Sequence, residues 1–168
     1  MTNFLPTPVL QVLSTLQAHG VQALLMGGQA CIVYGASEFS RDVDVTVLAT
    51  EANMARLRAA LNTLGAQVIA VPPFDVSLLE RGHAVHFRCA AAGGIRLDVM
   101  TRMRGVPEFS QCWTRRTVLT LDGVGDVDVL GLEDLVLAKK TRRDKDWPVI
   151  RRLVDSHYRL HADTPTEA

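Results

Sequence analysis

A mostly apolar run, Val21 to Met26, stops at two glycines, Gly27 and Gly28, and after Gln29 to Arg41 the chain resumes as Asp42-Val43-Asp44-Val45. Strict alternation of this kind is a strand pattern, because side chains at i and i+2 share one face. Asp42 and Asp44 therefore stand side by side while Val43, Val45 and Val47 face a core. Aspartate is depleted in strands, and two carboxylates this close repel unless a cation or a proton lies between them. Such an oxygen-rich pair suits Mg²⁺ or Mn²⁺, which take one or two carboxylates together with substrate phosphates. The bland alternative is a surface strand whose polar face carries two Asp. Against it stands the glycine pair, which offers a phosphate a side-chain-free approach at the start of a short helix, Gln29 to Tyr34. This is neither a dinucleotide fingerprint nor a Walker loop, since G-x-G-x-x-G and Gly-Lys-Ser/Thr are both missing.

Around this stretch the chain alternates helices and strands. Thr7-Pro8 reads as a helix cap followed by Pro at the first helical position, with Val9, Leu10, Val12, Leu13 and Leu16 as the apolar stripe and Gly20 as the stop. Thr50 caps a helix from Glu51 to about Leu64, and Gly65 ends it. Ala66 to Val71 is a strand, Pro72-Pro73 breaks the pattern, and Phe74 to Gly82 reads as loop. Ala84 to Ala90 and Ile95 to Met100 form a hairpin around Ala91-Ala92-Gly93-Gly94. Its second arm puts Arg96, Asp98 and Met100 on one face, and its first puts Ala84, His86 and Arg88 together, so His86 and Arg88 are expected to flank Asp98. Thr117 to Leu121 and Val127 to Leu130 are short strands. A helix starting at Gly131-Leu132-Glu133-Asp134 carries acids in its first turn, as the helix dipole favours. On it Leu132, Leu135, Val136, Lys139, Lys140 and Arg143 recur at helical steps. Lys139 and Arg143, one turn apart, can reach a triphosphate together, whereas the bland reading is a solvated basic helix end. Trp147-Pro148 opens a last helix to about Tyr158. The chain is expected to be one domain over residues 1–160, with a frayed tail over 161–168.

Composition narrows the class. A chain of 168 residues with 48% apolar content can bury a full core, and a formal net charge of zero argues for neither nucleic acid nor membrane. Most Lys and Arg nevertheless fall between Arg102 and Arg152, and the basic flank from Arg102 to Arg116 favours a nucleic-acid acceptor. Cys31, Cys89 and Cys112 are odd in number and lack a C-x-x-C pair, which fits free thiols in a reduced, cytoplasmic setting. Neither a signal peptide nor a membrane span is expected. His157 and His161 have zinc-like i, i+4 spacing but no third ligand, so they read as a surface pair. His86 reads as a satisfied strand histidine, and Trp113 and Trp147 as core or edge packing.

The motifs together resemble the nucleotidyltransferase superfamily with the polymerase beta-like fold. Its pattern is an apolar residue, Gly, then Gly or Ser; about a dozen residues later Asp-apolar-Asp-apolar; and a third acid on a later strand. Here these are Met26-Gly27-Gly28, Asp42-Val43-Asp44-Val45 and Leu97-Asp98-Val99. Ser40 stands where small bacterial members carry Thr or Ser, while Glu38 replaces the Arg often found four before the first Asp. Glu133-Asp134-Leu135, Lys139, Arg143 and Lys145-Asp146 resemble a second segment of those members. The resemblance implies an α/β (α+β) fold, a short mixed sheet flanked by helices with a C-terminal helical segment. It implies Mg²⁺- or Mn²⁺-dependent transfer of a nucleoside monophosphate from an NTP to a hydroxyl. Asp42, Asp44 and Asp98 would be the catalytic metal ligands, with Asp98 helping to deprotonate the acceptor. Gly27, Gly28, Ser40, Lys139 and Arg143 would contact phosphate. Implied acceptors are RNA or tRNA ends, proteins or small molecules, and members of toxin–antitoxin systems add a neutralising antitoxin as partner. The rival readings are a catalytically silent nucleotide-binding or regulatory domain and a metal-dependent phosphohydrolase.

Overall fold

The Asp-Val alternation becomes the central strand of a seven-stranded sheet. A computed structural model describes residues 5–37, 39–69, 76–140, 144 and 146–164. In chain order the elements are α1 (Thr7–Ala18), β1 (Ala23–Met26), α2 (Gly27–Val33), β2 (Asp42–Val47), α3 (Glu51–Thr63), β3 (Ala66–Val68) and α4 (Val76–Glu80). There follow β4 (Val85–Cys89), β5 (Ile95–Met100), α5 (Phe109–Thr114), β6 (Thr117–Leu121), β7 (Gly125–Val129), α6 (Leu132–Lys139) and α7 (Asp146–Leu160). The strands lie in the order β3-β4-β5-β2-β1-β7-β6. β2 runs antiparallel to β1 and parallel to β5, so the sheet is mixed as expected.

Register decides what the sheet presents. Met26 pairs with Asp44, Asp44 with Asp98, and Asp98 with His86. Cross-strand partners share a face, so these four residues form one row across four strands. The next row pairs Asp42 with Arg96 and Arg96 with Arg88. On the opposite face Val43, Val45, Val47, Leu97 and Val99 are buried. The apolar stripes of α1 (Val9, Val12, Leu13, Leu16) and α3 (Met54, Leu57, Leu61) are buried in the same core. One face of the sheet is therefore core, and the other, buried at Leu24 and Thr46, opens to a cleft at the aspartates.

Several local expectations shift. Pro6, with extended backbone, caps α1, and Thr7 lies inside the helix without a side-chain capping bond. α2 begins at Gly27 rather than Gln29. β3 is shorter than expected, and Val76–Glu80 forms one helical turn inside the stretch read as loop. The hairpin turn tightens into a short 3₁₀ turn over Ala90–Ala92, followed by Gly93 and Gly94 at positive φ. Trp147, at the start of α7, is more than half exposed rather than packed. Trp113 stacks on Phe109 and carries the Arg116 guanidinium over its ring. His157 and His161 face each other, and among the described residues no third ligand joins them.

One buried residue that the sequence pattern does not single out is Asn53. Its Oδ1 accepts from Gln22 N, and its Nδ2 donates to Gln22 O and Leu48 O, tying the ends of β1 and β2 to α3. Asn53→Ala is expected to cost about 2 kcal/mol, since Gln22 N and Leu48 O lose their part-buried partner while Gln22 O keeps the Leu48 amide. Thermal denaturation measures it.

Candidate active site

The row and its neighbour lie in a cleft of about 1210 Å³ lined by Gly27, Gly28, Ser40, Asp42, Asp44 and Asp98 on the sheet side, and by Lys139, Lys140 and Asp146 opposite. Arg96, Arg102 and Arg104 line it on the β5 side. Carboxylate oxygens of Asp42, Asp44 and Asp98 lie within 4.8 Å of one another. Two come from one strand by period-two spacing, and the third arrives because β5 pairs with β2 in register.

Each carboxylate has different company. Ser40 Oγ lies 3.2 Å from both the backbone oxygen and Oδ1 of Asp42. The fully buried Gln29 donates to the backbone oxygens of Ser40 and Asp42, which fixes the loop entering β2. Asp44 receives the Gly28 backbone amide, yet its carboxyl is pushed up to about 6 by burial and by the charges of Asp42 and Asp98, with Lys139 opposing. Asp98 is the most buried of the three. Its Oδ1 accepts from Arg96 Nε at 2.7 Å and its Oδ2 from Arg96 Nη2 at 2.8 Å. His86 Nδ1 lies 2.8 Å from Asp98 Oδ1 and 3.0 Å from Arg96 Nη2.

The glycines act by what they leave out. A Cβ on Gly27, whose φ is +64°, would sit 1.9 Å from Asp44 Oδ2. A Cβ on Gly28 would sit 2.3 Å from Ser40 Oγ. Gly27 thus makes room for Asp44 and Gly28 for Ser40, a role additional to any approach of phosphate.

Lys139 occupies the last turn of α6, close enough to oppose the charge on Asp44. α6 closes at Lys140, which leaves the helical region at φ −68° and ψ 67°. Arg143, like Glu38 and Lys145, lies outside the described residues. Asp146 is buried at the start of α7 and lines the cleft.

No protein-family model and no curated protein matches this sequence. Solved structures do match in shape. The solution structure of the antibiotic-resistance factor ANT(2'')-Ia superposes with a TM-score of 0.58 at 14% identity, over 94% of this chain and 84% of that one. The crystal structure of ANT(2'')-Ia in complex with adenylyl-2''-tobramycin gives 0.57 at 12% identity, over 91% and 89%. The chain has the nucleotidyltransferase fold. At such identities the likeness concerns the backbone alone, and the three clustered aspartates are this chain's own feature.

Within the nucleotidyltransferase fold the basic flank divides in two. Arg115 is tied to the buried Asp134, and Arg116 to Asp128. Arg102 and Arg104 line the cleft, exposed and without an ion pair among the described residues. Arg88, expected beside Asp98, donates instead to Gly94 O, because the register sets it opposite Arg96, one step along. Arg96 is the functional residue that sequence reasoning left unassigned. The signal was its i, i+2 spacing to Asp98 on a strand. Cys31, Cys89 and Cys112 are free and buried, and burial pushes the Cys89 and Cys112 thiols up to about 11, as for inert packing groups. No helix among the described residues is long and apolar enough to cross a membrane.

Proposed function

We propose that the chain is a metal-dependent nucleotidyltransferase that moves a nucleoside monophosphate from an NTP to a hydroxyl acceptor. The observation that carries this reading is the convergence of Asp42, Asp44 and Asp98 beside a glycine turn in a cleft of this fold. Three hard oxygen donors without nitrogen or sulfur suit Mg²⁺ or Mn²⁺. Burial, joined by the charges of Asp42 and Asp98, raises the Asp44 carboxyl to about 6, and a cation relieves the repulsive share. Bound there, a divalent ion supplies charge neutralisation at the transferred phosphoryl group and the leaving pyrophosphate.

The chain's own groups do the rest. Asp42, Asp44 and Asp98 would hold the cation, with Asp42 kept in place by Ser40 and Asp44 by the Gly28 amide. Gly27 keeps the wall beside Asp44 bare, and Gly28 the wall beside Ser40. Lys139 supplies a fixed positive charge for the phosphates, and Arg143 is assigned the same part by the family resemblance. Asp98 lies on the next strand, away from the glycines, where it orients the acceptor hydroxyl and accepts its proton. Arg102 and Arg104 favour an anionic acceptor such as an RNA end over a polycation, since among the described residues no carboxylate pairs with them.

The test is incubation with each α-labelled NTP and Mg²⁺, with RNA, protein lysate or an aminoglycoside as acceptor. Mg²⁺-dependent label on an acceptor is expected, with RNA the best of the three. NTP binding without transfer to any of them identifies a silent nucleotide-binding domain. Release of free phosphate or pyrophosphate without a labelled acceptor identifies a hydrolase.

A further inference from the structure

The three aspartates are not equivalent. Asp42 and Asp44 are held by neutral donors, a hydroxyl and a backbone amide. Asp98 is held by a full positive charge, with both oxygens in the Arg96 fork and His86 alongside. A two-point charged pair of this kind is stronger and more directional than an ordinary hydrogen bond. It also places a fixed cation next to the point where a divalent ion is required. Arg96 lies opposite Asp42 in the ladder, so its charge borders two of the three ligands.

Resting on the nucleotidyltransferase reading of the cleft, we infer that Arg96 is an internal counter-ion that competes with the divalent cation for Asp98. It thereby keeps the cluster's metal affinity low until nucleotide is present. Two like charges a few ångströms apart in a partly buried site repel strongly, so ion and guanidinium cannot both be held close to Asp98 at full strength. The Arg96 side chain is 44% exposed on the cleft side, which leaves it a path away from Asp98. Incoming phosphates provide the negative charge that rewards this movement. Metal and nucleotide then bind with positive cooperativity, since each favours the arrangement in which Arg96 has left Asp98. Arg96 is a positioning residue in this account. It acts through Asp98 and takes no part in bond making.

The test is a Mn²⁺ titration of the full chain, following free Mn²⁺ by electron paramagnetic resonance, alone and with the α,β-methylene analogue of ATP. Arg96→Gln is expected to bind Mn²⁺ alone about tenfold more tightly than wild type, and the extra tightening caused by the analogue should shrink. Arg96→Lys keeps the charge but cannot span both oxygens, so a smaller change in the same direction is expected. In an Asp98→Asn background, Arg96→Gln should change Mn²⁺ binding much less, acting only through its charge beside Asp42. A merely structural arginine would give the opposite sign, because its loss would loosen the site. Unchanged or weaker Mn²⁺ binding in both Arg96 variants, with normal circular dichroism, overturns the inference alone. Absence of Mn²⁺ binding in every protein, with or without the analogue, overturns the metal reading as well.

Discussion

Asp44→Asn is expected to abolish transfer and at the same time stabilise the metal-free protein. The loss follows from position. Asp44 is the middle carboxylate of the three, and a neutral amide there removes a charge from both neighbouring pairs. Weakened metal support is worth several kcal/mol of barrier, so transfer should fall about a thousandfold. The gain follows from electrostatics. Burial, together with Asp42 and Asp98, raises the Asp44 carboxyl from 3.8 to about 6. The unfolded chain loses this proton near pH 4, whereas the folded chain keeps it to about pH 6. Between those values the native state binds more protons, so stability falls as pH rises and the full penalty is present above pH 6. At 1.36 kcal/mol per pKa unit the penalty is about 2 kcal/mol after allowance for solvent screening. Melting in chelator should therefore show a higher Tm for Asp44→Asn than for wild type at pH 7, with the two curves converging towards pH 4. Added Mn²⁺ should raise the wild-type Tm and leave the variant's almost unchanged. A variant that is inactive yet less stable than wild type in chelator would mean that Asp44 is not under charge stress.

The sequence made some of this legible and not the rest, for physical reasons. Asp42 and Asp44 could be read because strand spacing is local: period two puts them on one face whatever they pair with. Asp98 could be placed on a strand for the same reason. That it stands opposite Asp44 depends on a parallel pairing between β2 and β5, and register between distant strands has no local signature. His86 was expected near Asp98 because a hairpin brings its arms together, and the structure sets it directly across. Arg88 was expected there too, but the same register puts it opposite Arg96. The Arg96 fork required knowing that Asp98 is buried, which alternation alone does not say. The Lys139–Arg143 stripe rests on a helix continuing past Lys139; α6 ends there, and Arg143 lies outside the described residues. The glycines were read as an opening for phosphate, and only the coordinates show how closely they border Asp44 and Ser40.

That proximity sets the second large effect. Gly27→Ala introduces a Cβ 1.9 Å from Asp44 Oδ2 and 2.6 Å from its Cγ, at a backbone φ of +64° that an L side chain adopts at a cost of about 1–2 kcal/mol. Gly27 cannot relax to negative φ without withdrawing α2 from Met26, so Asp44 must move. A displaced Asp44 leaves the shared site with Asp42 and Asp98 and loses the Gly28 amide. Transfer is expected to fall at least a hundredfold, because misplacement of about 1 Å is enough for that, and Mn²⁺ affinity should fall with it. Gly28→Ala separates the causes. Gly28 has no positive φ, and the three atoms nearest its added Cβ all belong to Ser40, with Oγ at 2.3 Å. Its defect should be smaller and should be relieved by Ser40→Gly, whereas no change at Ser40 should rescue Gly27→Ala. Steady-state transfer rates and Mn²⁺ titrations of the three variants measure this. Equal defects in Gly27→Ala and Gly28→Ala, both rescued at Ser40, would show that the glycines serve the Ser40 loop and not the aspartate.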